Sequence, residues 1–395
     1  MSNPRPFTQF RIMVGSYEHN LLCLSLTIKG KNEPVFTPIF HFQAHALSIK
    51  SIDIAKRYLV TGSNDEHIRI YDLQKRKELG TLLSHQGTVT TLRFSSETTE
   101  DSHSEKSGKW LLSGSEDGKI IIWRTKDWEM FGTLKGHQGR INDLDIHPSG
   151  RVAISVSTDK TVRLWNLMTA KKAAVLKIKG RDHLGQSGEF VRWSTSGKHF
   201  VVGLMTQLFI YALGEEAELL RKIQFKTTLM CLEVLDIQGT EYLVTGHSNG
   251  TVEFLKFNKA LEEENPEPEF VLRGHSNRVK GLAYFCNAET SGIPYLVSVS
   301  SDGKIVVWDV SESVRDQVAV YDSGERLNCI AVCAETVEKA DTMKRRYNEL
   351  EGNEPSESEY ETDGEEVRKL MLDTGKKKKG KKAKKAKSKV TVTLE

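Results

Sequence analysis

Residues 111–123 read LLSGSEDGKIIIW, and the fold turns on what this stretch forms and how often it returns. Leu111-Leu112-Ser113 is an apolar strand that ends in small residues. Glu116-Asp117-Gly118 is a tight turn, where glycine supplies the positive φ that such a turn needs. Lys119–Trp123 then runs β-branched and ends on an aromatic ring, the composition of a packed strand. The segment predicts a β-hairpin.

The hairpin recurs at residues 59–72 (LVTGSNDEHIRIYD), 153–166 (AISVSTDKTVRLWN), 242–257 (YLVTGHSNGTVEFLKF) and 295–309 (YLVSVSSDGKIVVWD). Weaker copies lie at 10–26 (FRIMVGSYEHNLLCLSL) and 199–213 (HFVVGLMTQLFIYAL). Aligned on the small-residue step, the copies centre on Gly15, Gly62, Gly114, Val156, Gly203, Gly246 and Val299, at spacings of 47, 52, 42, 47, 43 and 53 residues. Several copies are preceded by a strand of alternating apolar residues: Val89–Phe94, Ile141–Ile146 and Val279–Tyr284. Most are followed by a short fourth strand, as at Met130–Leu134. No helical pattern of any length lies between Phe7 and Val332.

Four short strands cannot bury both faces of their own sheet. Stacked radially they can, and closing the ring removes the open ends. Seven hairpins therefore predict an all-β fold, a seven-bladed propeller over residues 7–333. A β-sandwich needs about seven longer strands and has no reason for this period. The two ends fit each other. The hairpin from Phe10 has no strand before it, whereas Leu327-Asn328-Cys329-Ile330-Ala331-Val332 is one strand too many after the last hairpin and matches Ile141–Ile146 in pattern. Residues 327–333 are expected to complete the first blade and latch the ring.

Composition sets the limits of this reading. A chain of 395 residues with 38% hydrophobic and 28% charged residues is not collagen-like, not a disulfide-stapled mini-protein and not disordered throughout. Its net charge of +3 comes entirely from residues 341–395, which hold 15 basic and 12 acidic residues. There the signs are segregated. Residues 349–366 carry nine acidic residues and no basic one, and residues 376–389 (KKKKGKKAKKAKSK) carry ten lysines. One compact domain is not charged in this way. The expected order is a propeller over 7–333, a short helical or extended linker over 334–348, an acidic disordered segment over 349–366 and a lysine-rich disordered tail over 367–395. The five cysteines, Cys23, Cys231, Cys286, Cys329 and Cys333, are odd in number and show no CxxC pair. They read as buried thiols of a reducing compartment, not as disulfides or metal ligands, and no cofactor is expected. The N-terminus lacks an apolar core of signal length, and no stretch is apolar enough to span a bilayer, so a cytosolic or nuclear protein without a membrane partner is expected.

Four polar or aromatic residues recur in register with the hairpins. His85, Ser113, Asp117 and Trp123 form one set, His137, Ser155, Asp159 and Trp165 a second, and His275, Ser298, Asp302 and Trp308 a third. His45, Thr61, Asp65 and Tyr71 are a variant with a phenol in place of the indole, while Thr206 and Asn249 stand where aspartate is expected. This is the pattern of the WD40 repeat family, which the chain resembles over nearly all of residues 7–333. The resemblance implies that each set hydrogen-bonds in a chain and pins its blade. The two copies without aspartate are then expected to rely on apolar packing. Within the family the chain resembles the branch of p21-activated-kinase-interacting proteins and their fungal counterparts, on three features: the divergent opening Val14-Gly15-Ser16-Tyr17-Glu18, the unit from Gly180-Arg181-Asp182-His183 to Val191-Arg192-Trp193, and the lysine-rich tail. That branch implies a nucleolar factor in assembly of the large ribosomal subunit, with restraint of a p21-activated kinase in the animal forms.

An enzyme is not expected. There is no Walker loop and no GxGxxG feeding a helix. The candidate bases His85, His137 and His275, and the candidate carboxylates Asp117, Asp159 and Asp302, stand at equivalent places in the repeats, which points to a repeated structural task. Binding is the better reading. Arg140 and Arg278 directly precede innermost strands, so both should lie near the central opening on one face, where a guanidinium can fork onto a carboxylate or phosphate. The polar insertion Ser95–Lys109 and the acidic, proline-containing Leu261–Glu269, read as joining the sixth unit's outer strand to the next, are further surfaces for partners. In the tail Lys376, Lys377, Lys378, Lys379, Lys381, Lys382, Lys384, Lys385, Lys387 and Lys389 suit RNA phosphates or an import signal, with no aromatic to read bases. Ser356, Ser358 and Thr362 each have a glutamate three residues on, the pattern of an acidophilic kinase site. The expected function is a non-catalytic scaffold binding pre-ribosomal proteins and rRNA in the nucleolus, monomeric outside its complex and without a small-molecule substrate. The alternatives are a kinase regulator and a substrate adaptor or chromatin-associated module.

Overall fold

The structure, a computed structural model, describes residues 7–29, 33–96, 106–178, 185–214, 217–287 and 292–335. The chain divides into two units, 1–339 and 340–395, and every described residue belongs to the first. The linker beyond Glu335, the acidic segment, the candidate phosphosites and the ten tail lysines lie outside the described residues, as does much of the insertion between Ser95 and Lys109.

Among the described residues, twenty-eight strands form seven four-stranded antiparallel sheets. Numbered as blades 1 to 7, their innermost strands are Leu327–Ala334, Ile49–Ala55, Val89–Phe94, Ile141–Ile146, Phe190–Trp193, Leu229–Ile237 and Val279–Phe285. Each packs on the next, and the seventh returns to the first, so the strands close a circle. Apolar side chains collect at the seams between blades. The seam of blades 7 and 1 holds Phe10, Ile12 and Val14 against Val297, Val299 and Ile305, and every other seam has its own cluster. A single blade thus has no core of its own, and the ring is the smallest unit that buries its apolar residues.

The small-residue step marks the closest approach between neighbours. A Cβ on Gly114 would stand 2.9 Å from Ile141 Cγ2 at the start of the next blade's innermost strand. Where the step is a valine, the partner shrinks instead: a Cβ on Gly188 would stand 3.1 Å from both Cβ and Cγ1 of Val156. The step is therefore a volume constraint across the seam. The turn glycine answers a different need, since Gly118 sits at φ 72°.

Blade 1 takes its innermost strand from the far end of the chain. Phe10 pairs with Ala334 and Gly15 with Cys329, so Leu327–Ala334 lies antiparallel to Phe7–Ser16. Both ends of this latch are tied. At one, Tyr17 N donates to Arg326 O at 2.7 Å, and Asn20 Nδ2 donates to Glu325 Oε1 at 2.7 Å. At the other, the buried Arg11 donates through Nε and Nη2 to Glu335 Oε1 at 3.1 and 2.8 Å, and Ser25 Oγ donates to Glu335 Oε2 at 2.9 Å.

One helix appears where the sequence pattern shows none. Phe257–Glu262 turns once behind blade 6, burying Phe257 and Ala260. It is too short to show helical periodicity. The acidic Leu261–Glu269 begins in its last turn and leads to the outer strand of blade 6, Phe270–Arg273, from the third, Thr251–Lys256, so it lies within the blade and not after its outer strand as the sequence suggested.

The latch makes a direct prediction. Glu335→Ala deprives the buried Arg11 of that carboxylate and should cost roughly 3–5 kcal/mol, the range for breaking a buried ion pair from one side. Denaturant unfolding of the full chain measures it, and a loss under about 1 kcal/mol, the value of a surface pair, would contradict a closed latch.

Candidate functional site: the channel and mouth of the ring

The recurrent sets come together inside the blades. In blade 3, Trp123 Nε1 donates to Ser113 Oγ at 2.9 Å, Ser113 Oγ lies 2.8 Å from His85 Nε2, and His85 Nδ1 lies 3.2 Å from Asp117 Oδ2. Blade 4 repeats this with Trp165, Ser155, His137 and Asp159 at 2.8, 2.8 and 2.9 Å. In blade 7 Trp308 and His275 both meet Ser298 Oγ at 2.8 Å, but His275 Nδ1 stands 3.4 Å from Asp302 Oδ2, beyond a well-made hydrogen bond. Blade 2 has His45 Nε2 at 2.7 Å from Thr61 Oγ1 and His45 Nδ1 at 3.0 Å from Asp65 Oδ2, while the Tyr71 hydroxyl does not extend the chain.

The order of donors dictates the proton positions. A carboxylate only accepts, so Nδ1–H donates to the aspartate; the serine hydroxyl donates to Nε2 and accepts from the indole. In blades 3 and 4 every group is satisfied with a neutral imidazole, whereas the buried His275 Nδ1 of blade 7 has no hydrogen-bond partner. Burial holds His45, His85, His137 and His275 below the usual histidine range, against the pull of their aspartates. Burial alone would raise the Asp159 carboxyl, but the Thr161 hydroxyl, the Gln138 N–H and His137 outweigh it and bring it down to about 2. Both ring nitrogens of His45, His85 and His137 are engaged inside their blades.

Blades 5 and 6 lack the set and differ from each other. Blade 5 is packed with rings: Phe200 stacks on Tyr211 at 4.9 Å, and Trp193 meets Phe200 edge-on at 5.5 Å. Blade 6 departs from the apolar expectation. His247, fully buried at the end of Thr240–His247, lies 2.8 Å from Thr227 Oγ1 through Nδ1 and 3.0 Å from Thr245 Oγ1 through Nε2. The imidazole has moved from the loop to the strand end, so register comparison misses it. The signal was the histidine in YLVTGHSNG, at a position held by serine in the regular copies.

The channel holds a charge network that the sequence did not announce. Arg93 of blade 3 reaches Glu233 of blade 6 at 3.2 Å, and Arg192 of blade 5 meets Glu233 at 2.9 and 3.0 Å and also Asp143 of blade 4. All project from innermost strands, so the ion pairs span the opening. The carboxylates also cap the strands' inner edges: Phe94 N donates to Asp53 Oδ2 at 2.7 Å and Trp193 N to Asp145 Oδ2 at 2.9 Å. These N–H groups have no neighbouring strand to bond. Burial would raise Glu233, but Arg192 and Arg93 hold it down to about 2, whereas burial keeps Asp145 above its ordinary value despite both arginines.

Arg140 and Arg278 lie at equivalent places at one mouth. Thr158 N donates to Arg140 O and Ser301 N to Arg278 O, at 3.0 and 3.1 Å. Tyr17 N donates to Arg326 O in the same way, so Arg326 is a third member, missed because no Gly-His step precedes the latch. Arg140 is occupied by Glu116 at 3.1 Å, whereas Arg278 is exposed. Cys231 and Cys329 are buried, with thiols pushed up to about 12, and no disulfide links the described cysteines.

A closed ring of seven four-stranded blades, with the recurrent Asp, His, Ser and Trp set in blades 3, 4 and 7 and its variant in blade 2, defines a WD-repeat propeller, and the chain belongs to that family, in the branch of the p21-activated protein kinase-interacting proteins. The family's sequence profile, described as WD domain, G-beta repeat, matches residues 36–72, 76–124, 128–166 and 266–309. Blades 5 and 6, which lack the regular set, fall between the matches almost entirely. Along its length the chain is similar to "Protein MAK11" of Saccharomyces cerevisiae, 51% identical and covering 98% of both chains. It is also similar to "p21-activated protein kinase-interacting protein 1-like" of Gallus gallus, 33% identical over 88% of this chain and 86% of that one, and to the Xenopus laevis protein of the same name, 31% identical over 88% and 94%.

Two measurements test the interior. Glu233→Ala takes from the half-buried Arg93 its carboxylate and leaves Arg192 with Asp143 alone, and should lower unfolding stability by roughly 3 kcal/mol, the low end for breaking a buried pair from one side; a loss below about 1 kcal/mol would mean the channel pair behaves as a surface pair. Burial lowers His247 from 6.5 to about 4, so its contribution is complete above pH 6.5 and lost as pH falls toward 4. In that window His247→Gln should flatten the fall of stability by up to one proton, about 1.4 kcal/mol per pH unit. An unchanged slope would place the titration elsewhere.

Proposed function

We propose that this chain is a non-catalytic scaffold in assembly of the large ribosomal subunit, acting in the nucleolus, with the rigid ring docking pre-ribosomal proteins and the tail adding affinity for rRNA. The carrying observation is the likeness to Protein MAK11 along 98% of the chain, within a branch whose members the sequence resemblance describes as large-subunit assembly factors. The WD-repeat propeller is typical of interaction scaffolds, and the histidines of the recurrent sets are bonded inside the blades. Ten lysines in residues 376–389 supply sequence-independent affinity for phosphates through counterion release.

A second reading rests on the name of the chicken and frog relatives: binding to a p21-activated kinase. Affinity isolation after nuclease treatment at moderate salt separates the two. Large-subunit rRNA precursors are expected in the isolate, and kinase subunits without them would overturn the scaffold reading. Deleting 376–389 should weaken nucleolar retention and reduce the salt sensitivity of pre-ribosome association. Unchanged retention and salt response would remove the tail from the mechanism.

A further inference from the structure

Four cations gather at the mouth where the latch meets its neighbours. Lys50 of blade 2 and Lys280 of blade 7 occupy matching positions on their innermost strands. In each case the register slips by one residue there, between Ile49 and Ser51 and between Val279 and Gly281. The same slip leaves Thr90, Asn142 and Asn328 outside the pairing in blades 3, 4 and 1. Those three side chains bond the carbonyl that starts the next blade: Thr90 to Ile141 at 2.7 Å, Asn142 to Gly188 at 2.8 Å and Asn328 to Ile49 at 3.0 Å. The two lysines flank Asn328 and break this collar of neutral bonds. Arg278 and Arg326 stand just before the same strands. Arg326 and Lys50 lie over the Tyr17 ring, 5.0 and 5.9 Å from its centre, and Tyr17 is 49% exposed.

None of these four side chains pairs with a carboxylate among the described residues, in contrast to Arg140 on the same mouth. Burial, then the charges of Arg278 and Lys50, and Arg326 as well, hold the Lys280 ammonium below its ordinary value. Gathering unpaired like charges costs stability, and an anion placed among them removes that cost.

We infer that this cluster, Lys50, Arg278, Lys280 and Arg326 with Tyr17, is a docking site for an acidic peptide segment of a partner protein. It adds a surface to the ring and does not depend on the partner being ribosomal. A short peptide fits better than a nucleic acid because beyond the cluster the mouth carries carboxylates, one of them paired with Arg140. Glu116 lies on blade 3, and Glu189, beside the start of blade 5, has its carboxyl raised by burial. A polynucleotide crossing the opening would meet these carboxylates, whereas a few Asp or Glu side chains confined to blades 7, 1 and 2 would not. The channel below is spanned by Arg93 and Glu233, so the ligand lies across the mouth and does not thread the ring. The latch runs from Leu327 at this mouth to Ala334 at the other end, and occupation by the chain's own acidic segment is one outcome of the test.

The test is fluorescence anisotropy of a labelled octapeptide of alternating Asp and Glu, titrated with the full chain at moderate salt. All forms carry glutamine in place of the ten lysines of 376–389, to remove binding by the tail. Lys50→Gln/Lys280→Gln should weaken binding at least tenfold and the exposed Arg278→Gln several-fold, while Arg140→Gln changes it less than twofold. Equal losses for Arg140→Gln, or no loss in the double variant and in Arg278→Gln, would overturn the site. A larger effect of the same variants on a twenty-nucleotide single-stranded RNA than on the peptide would overturn the choice of ligand. A tenfold gain in peptide affinity on neutralising 349–366 would show that the chain fills its own site, and would overturn a partner in trans. Thermal melts keep the variants interpretable: losing the lysines should not lower the melting temperature by more than loss of the weak contact of Lys50 with the Tyr17 ring, because neither pairs with a carboxylate among the described residues. A large drop would assign them to the fold and overturn the proposal.

Discussion

Closure of the ring rests on a pairing between residues more than three hundred positions apart, with Gly15 opposite Cys329 and Phe10 opposite Ala334. Bringing such distant segments together costs on the order of 5 kcal/mol in loop entropy, growing only with the logarithm of length. The pairing has wide consequences. Without Leu327–Ala334, blade 1 lacks its channel strand, and the seams to blades 7 and 2 lose Leu327, Cys329 and Ala331 from their cores. Because each blade's apolar face is covered only by its neighbour, the loss does not stay local. The ties at both ends of the latch, Arg326 with Tyr17 and Arg11 with Glu335, sit where strand fraying would begin.

A closed ring still has an inner edge, since seven strands present N–H and C=O groups toward the channel without a neighbouring strand. The molecule answers with side chains from adjacent blades: Asp53 and Asp145 accept from the next innermost strand, and Thr90, Asn142 and Asn328 donate to carbonyls at the other end. Of the carboxylates this requires, Asp53 is met by Lys106 and Asp145 lies in the field of Arg93 and Arg192, whose ion pairs with Glu233 and Asp143 fill the opening. The ion pairs across the channel thus follow from the need to satisfy backbone groups inside a ring. The unpaired cations at the mouth do not follow from that need, and this separates the two sets of charges.

Much of the architecture was legible because its constraint is periodic. Strand, turn and strand recur every 42 to 53 residues, and the surplus strand at one end matched the deficit at the other. The recurrent Asp, His, Ser and Trp residues were visible for the same reason. Blade 6 resisted because its imidazole, His247, reaches a similar position from a different backbone site, so register comparison passed over it. The helix at Phe257–Glu262 is shorter than two helical turns and leaves no periodic trace.

The sequence by itself determined the repeat, the number of blades, the identity of the latch and the segregation of charge after the ring, since each of these is local composition or spacing. The tertiary structure alone decided which charges meet. Arg93 and Glu233 are 140 residues apart and share no motif; only the curvature of the ring puts them on opposite walls of one channel. Lys50, Lys280 and Arg326 sit in three different repeats and look like ordinary solvated residues until closure sets blades 7, 1 and 2 side by side. Pair interactions across a ring depend on angles accumulated over every blade, and no single stretch of the chain carries them.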